Sequence, residues 1–243
     1  MTPQKPRIDQ LLVDRGLVES REKAKALIIA GEVLVNGQKL AKPGHTVPAD
    51  AQVELLSKPR YVGRGGLKLE AALRHFAIDP AGWTCLDVGS STGGFTDCLL
   101  QHGALRVYAV DAGTNQLDWK LRSDPRVVVH ENQNARLLSN VLVPAPIDLL
   151  VCDVSFISVT LVLPPAIALL REHAGMVILI KPQFEAEREQ VGKGGIVRDE
   201  HVHDQVCRRI ESFVQELSFQ TSIIDSPILG AEGNREFLLY AHR

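Results

Sequence analysis

An apolar run that begins at Trp83 leads into Asp87-Val88-Gly89-Ser90-Ser91-Thr92-Gly93-Gly94-Phe95, and a helical pattern continues from there to His102. A strand, a turn of small residues and a helix in this order are typical of the first unit of an α/β ligand-binding domain. Small residues let the backbone of the turn approach a ligand closely. The pattern predicts a strand whose carboxyl end opens into a binding loop.

Further apolar runs continue the alternation of strands and helices along the chain. They are Arg106–Val110, Val127–His130, Ile147–Cys152, Met176–Ile180, Gln220–Ile224 and Phe237–Tyr240. Together with Trp83–Val88 they predict an α/β domain with a mostly parallel, seven-stranded sheet covered by helices on both faces. Ligands bind such sheets at the carboxyl ends of the strands.

The first sixty residues differ from the rest in charge and in pattern. They hold ten Lys and Arg against seven Asp and Glu, whereas the remainder holds seventeen against twenty-two. Two short helices, ended by Gly16 and Gly31, precede a strand that enters an Asn36-Gly37 hairpin turn. A basic segment on an acidic domain indicates an anionic partner for that segment.

These patterns divide the chain into two domains. We expect a small α+β domain at residues 1–57, a linker at 58–63 in which Pro59 disfavours a continuing helix, and the larger domain at 64–243. Two domains of these sizes suit a chain of 243 residues.

Composition and spacing exclude several classes of protein. The four cysteines show no CxxC pairing, so we expect reduced thiols in a cytoplasmic protein. We expect no secretory signal and no membrane span, because the first residues lack an apolar segment and no uninterrupted apolar run reaches about 18 residues. The eight histidines show no ligand spacing, so we expect no metal.

The glycine-rich loop distinguishes between two cofactor classes. A nicotinamide enzyme would carry G-x-G-x-x-G, which Gly89, Gly93 and Gly94 do not match. Asp111 ends the second strand, where a carboxylate accepts hydrogen bonds from ribose hydroxyls, and Asp87 suits a cationic ligand group. The loop resembles motif I of class I methyltransferases, which implies S-adenosylmethionine. The expected cofactor-binding residues are Asp87, Gly89, Ser90, Ser91, Thr92, Gly93, Gly94, Phe95, Asp111 and Asn134.

Four charged residues indicate the reaction type. Asp153 and Lys181 each follow a predicted parallel strand, Lys68 lies near the start of the larger domain and Glu236 precedes the last strand. Each residue alone is equally compatible with a surface ion pair. Together, in this order, they resemble the Lys-Asp-Lys-Glu tetrad of ribose 2′-O-methyltransferases of the FtsJ/RrmJ superfamily. The resemblance implies that Lys181 contacts the 2′-oxygen, that the two carboxylates orient the lysines and that Lys68 holds the ribose or a phosphate.

A wider set of motifs resembles one family, TlyA or "hemolysin A". The motifs are Tyr61–Leu69, Asp87–Phe95, Asp153–Ser158, Lys181–Glu185 and Gly192–Val197. Members of the family carry a class I, Rossmann-like methyltransferase domain behind a small RNA-binding domain. The resemblance implies methylation of cytidine ribose 2′-hydroxyls in ribosomal RNA, with ribosomal RNA or ribosomal subunits as the partner.

The N-terminal segment supports that architecture. Arg7-Ile8-Asp9, Ser20-Arg21 and Val35-Asn36-Gly37 resemble the RNA-binding domain of the ribosomal protein S-four type. Such domains bind folded RNA through its phosphates, and these contacts supply affinity and set the position of the protein along the RNA. The expected RNA-binding residues are Arg7, Arg15, Arg21, Lys23, Lys25, Asn36 and Arg64.

Three other functions are alternatives to ribose 2′-O-methylation. Enzymes that methylate exocyclic amines present an Asn/Asp-Pro-Pro-aromatic turn after the fourth strand, and Asp153-Val154-Ser155-Phe156 contains no proline. The family's historical name suggests a pore-forming cytolysin, which the absence of a signal segment and of a membrane span disfavours. A non-catalytic RNA-binding factor would keep the fold without the tetrad.

Overall fold

The computed structural model describes residues 5–29, 31–40, 42–56, 60–230 and 233–243. The chain forms two compact units, the N-terminal unit (residues 1–60) and the C-terminal unit (residues 61–243). Each unit has its own buried apolar core.

The expected linker lies near the point where the units divide. Lys58 and Pro59 lie outside the described residues. Tyr61 and Val62, which we expected in the linker, are part of the C-terminal unit: the Tyr61 side chain is buried, and the Val62 N–H donates to Asp97 Oδ2 at 2.9 Å.

The N-terminal unit places two helices beside a three-stranded antiparallel sheet of order β2-β1-β3. Its elements are α1 (Ile8–Asp14), α2 (Arg21–Ile29), β1 (Val33–Val35), β2 (Gln38–Lys39) and β3 (Val53–Leu55). Asn36 and Gly37 both have positive φ, 49° and 77°, as a type I′ hairpin turn requires. The turn is therefore as predicted, whereas β3, whose three residues form no distinctive pattern, was not.

The C-terminal unit contains a seven-stranded sheet of order β6-β5-β4-β7-β8-β10-β9. Strand β10 is antiparallel to the other six described strands, which all run in the same direction. Its elements are α3 (Gly65–His75), β4 (Thr84–Val88), α4 (Gly94–Gln101), β5 (Arg106–Val110), α5 (Trp119–Arg122), β6 (Val127–His130), β7 (Ile147–Cys152), α6 (Val159–Ile167), β8 (Leu170–Ile180), α7 (Pro182–Glu185), α8 (Glu200–Glu216), β9 (Gln220–Asp225) and β10 (Phe237–His242). The predicted mostly parallel sheet is confirmed.

One strand is longer than the sequence predicted. We expected it to begin at Met176, but β8 begins at Leu170. Its first half includes three exposed polar residues that break the apolar run, so no apolar pattern marks it. Arg171 in this segment pairs with Asp148 of β7 at 2.8 Å.

Apolar residues alternate along the strands and build a core on each face of the sheet. One face packs beneath α3 and α4, with Leu69 and Leu99 fully buried. The other packs beneath α6 and α8, with Leu163 and Ile210 fully buried. Burial of each such side chain contributes about 1.5–3 kcal/mol. The two layers of helices hold the strand ends in a fixed arrangement.

The order of strands reverses between β4 and β7, which are adjacent although β5 and β6 intervene in the chain. In open α/β sheets the crevice outside such a switch point is where ligands bind. A ligand site is therefore expected among the described residues that follow β4 and β7.

Candidate active site

Two adjoining cavities open at the carboxyl ends of the central parallel strands. The larger has a volume of about 680 Å³ and the smaller about 180 Å³. Gly89, Ser91 and Asp153 line both cavities, which makes them one continuous depression. Its walls come from the segments after β4, β5, β6 and β7, at the predicted switch point.

Gly89 lies where no other residue fits. Its φ is 85°, and a Cβ atom there would lie 2.5 Å from the carbonyl oxygen of Asp153. Glycine satisfies both the left-handed backbone and the close approach. The loop after β4 therefore rests directly against the segment after β7.

Asp111 joins the loop after β4 to the loop after β5. Its Oδ2 accepts a hydrogen bond from the Ser91 N–H at 2.8 Å, and its Oδ1 accepts one from the Gly113 N–H at 2.7 Å. Each carboxylate oxygen accepts more than one hydrogen bond, so Asp111, on the cavity wall, keeps lone pairs for a ligand hydroxyl.

Asp87 occupies a different environment from the one we expected. It is fully buried, and its Oδ2 accepts a hydrogen bond from Thr96 Oγ1 at 2.6 Å. Within the described part of the chain, Oδ1 has no partner. Burial raises the pKa of Asp87 to about 7, with nearby Asp153 adding to the rise and the Thr96 hydrogen bond opposing it. A buried carboxyl group affects a cationic ligand through its charge.

The other expected cofactor residues divide between the two cavities. Asn134 lines the larger cavity, and Gly93 has a φ of 97° and packs against Leu121. The smaller cavity is lined by Ser90, Thr92, Gly94 and Phe95. Sequence reasoning missed three amide side chains on the larger cavity, Gln116, Asn132 and Gln133. Their signal was available, because they follow β5 and β6 at the same edge of the sheet.

The depression fits a nucleoside-bearing cofactor such as S-adenosylmethionine. Its volume lies in the range of about 300–1,000 Å³ that is usual for small-molecule sites. The glycine loop admits close backbone contact, Asp111 offers acceptors for ribose hydroxyls, and Asp87 places an unpartnered carboxyl oxygen close behind the loop.

Lys68 and Glu236 form the first half of the predicted tetrad. Lys68 Nζ lies 2.5 Å from Glu236 Oε2, and only 9% and 3% of the two side chains are exposed. Lys68 belongs to the first turns of α3, whereas Glu236 lies directly before β10. The alternative interpretation of Lys68 and Glu236 as members of surface ion pairs is wrong, because the two side chains form a buried pair.

Asp153 and Lys181 form the second half. Lys181 Nζ lies 2.6 Å from Asp153 Oδ1 and donates to Ser155 Oγ at 2.8 Å. The side chains are 12% and 20% exposed, so this pair lies at the boundary between the core and the cavity. Lys181 Nζ also lies 5.9 Å from the centre of the Phe184 ring, which favours a cation electrostatically.

Strand register brings the two pairs to the same edge of the sheet. Phe237 of β10 pairs with Ile180 of β8, so Glu236 and Lys181 are the next residues on adjacent strands. Asp153 follows β7, which pairs with β8 on its other side. The structure thus brings all four predicted tetrad residues to one edge of the sheet, where Asp153 also lines both cavities.

Phe156 was missed by sequence reasoning. It is 90% exposed, has a φ of 64° and lines the larger cavity beside Asp153. Its ring lies 4.9 Å from that of Phe184. A left-handed conformation is uncommon for an aromatic residue and tends to occur at functional sites.

Two of the expected RNA-binding arginines share one buried acid. Arg7 Nε and Nη2 donate to Asp9 Oδ1 and Oδ2, both at 3.0 Å, and Arg21 Nη2 donates to Asp9 Oδ2 at 3.0 Å. The hydrogen bond from Arg7 lowers the pKa of Asp9 to about 2; burial opposes this and Arg21 adds to it. Both arginines remain about half exposed.

The remaining expected RNA-binding residues have other surroundings. Arg15 and Arg64 donate to backbone carbonyls within their own units. Lys23 pairs with a glutamate four residues earlier, and Lys25 is partly exposed. Asn36 Oδ1 accepts the Gln52 N–H, which ties the hairpin turn to the segment before β3. Sequence reasoning did not foresee these partners, and the RNA contacts stay predictions.

The described ranges contain neither a cluster of metal ligands nor a helix suited to a membrane. Among those residues, no group of three or more His, Cys, Asp and Glu side chains is arranged to hold a metal ion. None of the helices traced there combines the length and the apolar character needed to cross a bilayer. All four cysteines are free, and burial raises the pKa of the Cys85 thiol to about 12.

The sheet order, the single reversed strand and the switch-point cavity define a class I, Rossmann-like methyltransferase fold. An O-methyltransferase structure from Bacillus cereus shares this fold, with a TM-score of 0.53 at 17% identity over 76% of this chain and 84% of that chain. The chain belongs to the FtsJ-like methyltransferase family, whose model matches residues 61–243. The S4 domain model matches residues 6–53.

Similar proteins cover almost the whole chain. YqxC of Bacillus subtilis is 50% identical over 100% of this chain and 87% of its own length. The 16S/23S rRNA (cytidine-2′-O)-methyltransferase TlyA of Mycobacterium tuberculosis is 43% identical over 96% and 88%. Hemolysin A of Brachyspira hyodysenteriae is 44% identical over 96% and 98%. A solved structure from Streptococcus thermophilus aligns with a TM-score of 0.76 at 43% identity, covering 100% of this chain and 90% of that chain.

Proposed function

We propose that this protein transfers a methyl group from S-adenosylmethionine to a ribose 2′-hydroxyl of ribosomal RNA, with cytidine as the target nucleoside. The observation that carries the proposal is the convergence of two ion pairs, Lys68–Glu236 and Asp153–Lys181, at one edge of the sheet, where Asp153 lines the cavity. The activity named for the TlyA relative, which aligns with nearly the whole chain, supports the substrate. A ribosomal substrate places the enzyme in the cytoplasm.

Residues of the depression would hold the cofactor. Asp111 binds the ribose hydroxyls, the backbone of Gly89 and Ser91 approaches the ligand, and the amide groups after β6 select the base. Asp87 and Asp153 favour the positive charge near the loop. When bound, S-adenosylmethionine supplies a methyl group already activated by the sulfonium charge.

The tetrad then has two tasks, alignment and proton management. Lys181 donates an N–H to the 2′-oxygen and stabilises the negative charge that grows as the hydroxyl proton passes to water and the methyl group is transferred, while Asp153 holds the lysine in place. Glu236 holds Lys68, whose ammonium provides fixed positive charge for the ribose or an adjacent phosphate. Because these groups are preorganised and largely withdrawn from water, their electrostatic effect is larger than in solution.

RNA is held by features of each unit. Arg7 and Arg21, fixed by Asp9, present their exposed guanidinium edges to phosphates. Phe156 offers an exposed ring at the cavity for stacking with the target base, because every base has a π-face. Phosphate contacts supply affinity, and the catalytic pocket selects the nucleotide.

One experiment separates this proposal from its two rivals. The protein is incubated with methyl-labelled cofactor and bacterial ribosomal subunits, and labelled 2′-O-methyl groups are mapped by nuclease digestion. Lys181→Ala serves as the inactive control. The proposal predicts label on cytidine ribose in the wild-type reaction alone. Tight RNA binding without transfer would favour a non-catalytic factor, and lysis of erythrocytes without transfer would favour a cytolysin.

A further inference from the structure

Lys181 makes a second polar contact that the tetrad does not include. Its Nζ donates to Ser155 Oγ at 2.8 Å in addition to pairing with Asp153 at 2.6 Å. Ser155 and Asp153 both line the larger cavity. The lysine therefore donates to a hydroxyl whose residue lines the larger cavity.

The hydroxyl of Ser155 differs in role from that of its neighbour Ser158. Ser158 Oγ caps α6 by accepting the Thr160 N–H at 3.3 Å and donates to buried Glu185 at 2.7 Å. Ser155 Oγ, by contrast, has Lys181 as its hydrogen-bond partner within the described residues. Its contact is with the ammonium group and not with the backbone of the turn.

We infer that Ser155 is a positioning residue for Lys181, an inference that rests on the proposed function. A lysine ammonium has three N–H donors on a flexible four-carbon stem. Asp153 alone would leave Nζ free to swing about one partner. With Ser155 accepting one N–H and the Asp153 carboxylate attracting the ammonium at 2.6 Å, Nζ is held by two groups and an N–H is left for the ribose 2′-oxygen.

Alignment of this kind affects the chemical step more than binding. A displacement of about 1 Å at a reacting centre can lower a rate by about 100-fold. Loss of the Ser155 hydroxyl still leaves Lys181 paired with Asp153, so the rate should fall by less than about 100-fold. We expect Ser155→Ala to lower kcat about tenfold, with KM for RNA and Kd for S-adenosylmethionine within about twofold of wild type. Ser155→Thr retains the hydroxyl and should restore kcat.

The control is Ser158→Ala, which removes a serine hydroxyl from the same segment without touching Lys181. It should lower thermal stability through the lost cap while kcat per folded molecule stays at the wild-type value. A fall in kcat for Ser158→Ala equal to that for Ser155→Ala would overturn the inference, since general loosening of the segment would then explain both.

A double-mutant cycle with Lys181→Met completes the test. If Ser155 acts through Lys181, Ser155→Ala changes the residual rate of Lys181→Met by less than about twofold. A full tenfold loss in that background, or wild-type kcat for Ser155→Ala alone, overturns the inference while the proposed function stands. Wild-type protein that transfers no methyl group to ribose would overturn the proposed function and this inference with it.

Discussion

Lys68 and Glu236 are separated by 168 positions in the chain, yet their charged atoms lie 2.5 Å apart in a buried ion pair. The pair joins α3, at the start of the C-terminal unit, to β10 at its end. A buried ion pair contributes little net stability, because desolvation offsets the attraction. A buried pair of this kind therefore fits the proposed catalytic role better than a purely structural one.

Breaking this pair should separate stability from activity. We expect Glu236→Ala to lower the free energy of unfolding by about 3 kcal/mol, because Lys68 is left buried without a partner. The double variant Lys68→Met/Glu236→Leu should recover most of that loss and remain inactive. Tryptophan fluorescence in urea measures the unfolding, since Trp83 and Trp119 both lie in the C-terminal unit. Activity in the double variant would contradict the assigned role.

Removal of the second lysine should affect chemistry alone. Lys181→Ala is expected to lower kcat by at least about 100-fold while leaving cofactor affinity within about threefold of wild type. The reason is that the role proposed for Lys181 is contact with the 2′-oxygen and not with the cofactor, and its partner in the structure is Asp153. Single-turnover transfer to RNA and equilibrium dialysis of S-adenosylmethionine provide the two measurements. Near-normal transfer with intact cofactor binding would show that the assignment is wrong.

A methyl group added to the cofactor loop should abolish cofactor binding. In Gly89→Ala, the new Cβ would meet the Asp153 carbonyl oxygen at 2.5 Å. The matched control is Gly82→Ala, whose φ of 77° is equally left-handed but which has open space around it. Both variants pay a backbone strain of about 1 kcal/mol. We expect calorimetry to detect cofactor binding in the control only; equal affinity in both would rule out the clash as the cause.

Loss of the exposed Phe156 ring should weaken RNA binding without lowering the stability of the fold. Phe156→Ala removes a side chain that is 90% exposed, so the melting temperature should not fall. The KM for RNA should rise about tenfold, because base stacking contributes about 1–3 kcal/mol. Phe156→Tyr keeps the ring and should behave like wild type. An unchanged KM for Phe156→Ala would exclude stacking at this position.

The N-terminal unit should lose stability in acid through Asp9. Its pKa is lowered to about 2, so the arginine contacts stabilise the fold fully above the unfolded value near 4 and are lost as the pH falls through about 2. At pH 7, Asp9→Asn should weaken protection of α1 and α2 amides in hydrogen exchange by about 2 kcal/mol. Asp14→Asn, an exposed control on α1, should not. Equal protection in wild type and Asp9→Asn would refute this role.

Strands and helices were predictable wherever their buried faces produce a regular pattern of apolar residues in the sequence. The strands Arg106–Val110, Val127–His130 and Ile147–Cys152 have the predicted limits, because each is an apolar run bounded by polar residues. The first half of β8 and the short strand β3 were missed. Pairing with neighbouring strands creates both, and pairing leaves no local pattern.

The four tetrad residues were predicted from their resemblance to FtsJ/RrmJ enzymes, and their catalytic role stays a prediction. Which lysine pairs with which carboxylate was decided by tertiary packing: strand register places Glu236 beside Lys181, yet Glu236 pairs with Lys68 of α3 and Lys181 with Asp153. Burial of Asp87, exposure of Phe156 and the hydrogen bond from Lys181 to Ser155 likewise depend on distant segments that pack together. A local sequence records its own periodicity and turn chemistry, whereas distances between side chains and their access to water exist only once the chain has folded.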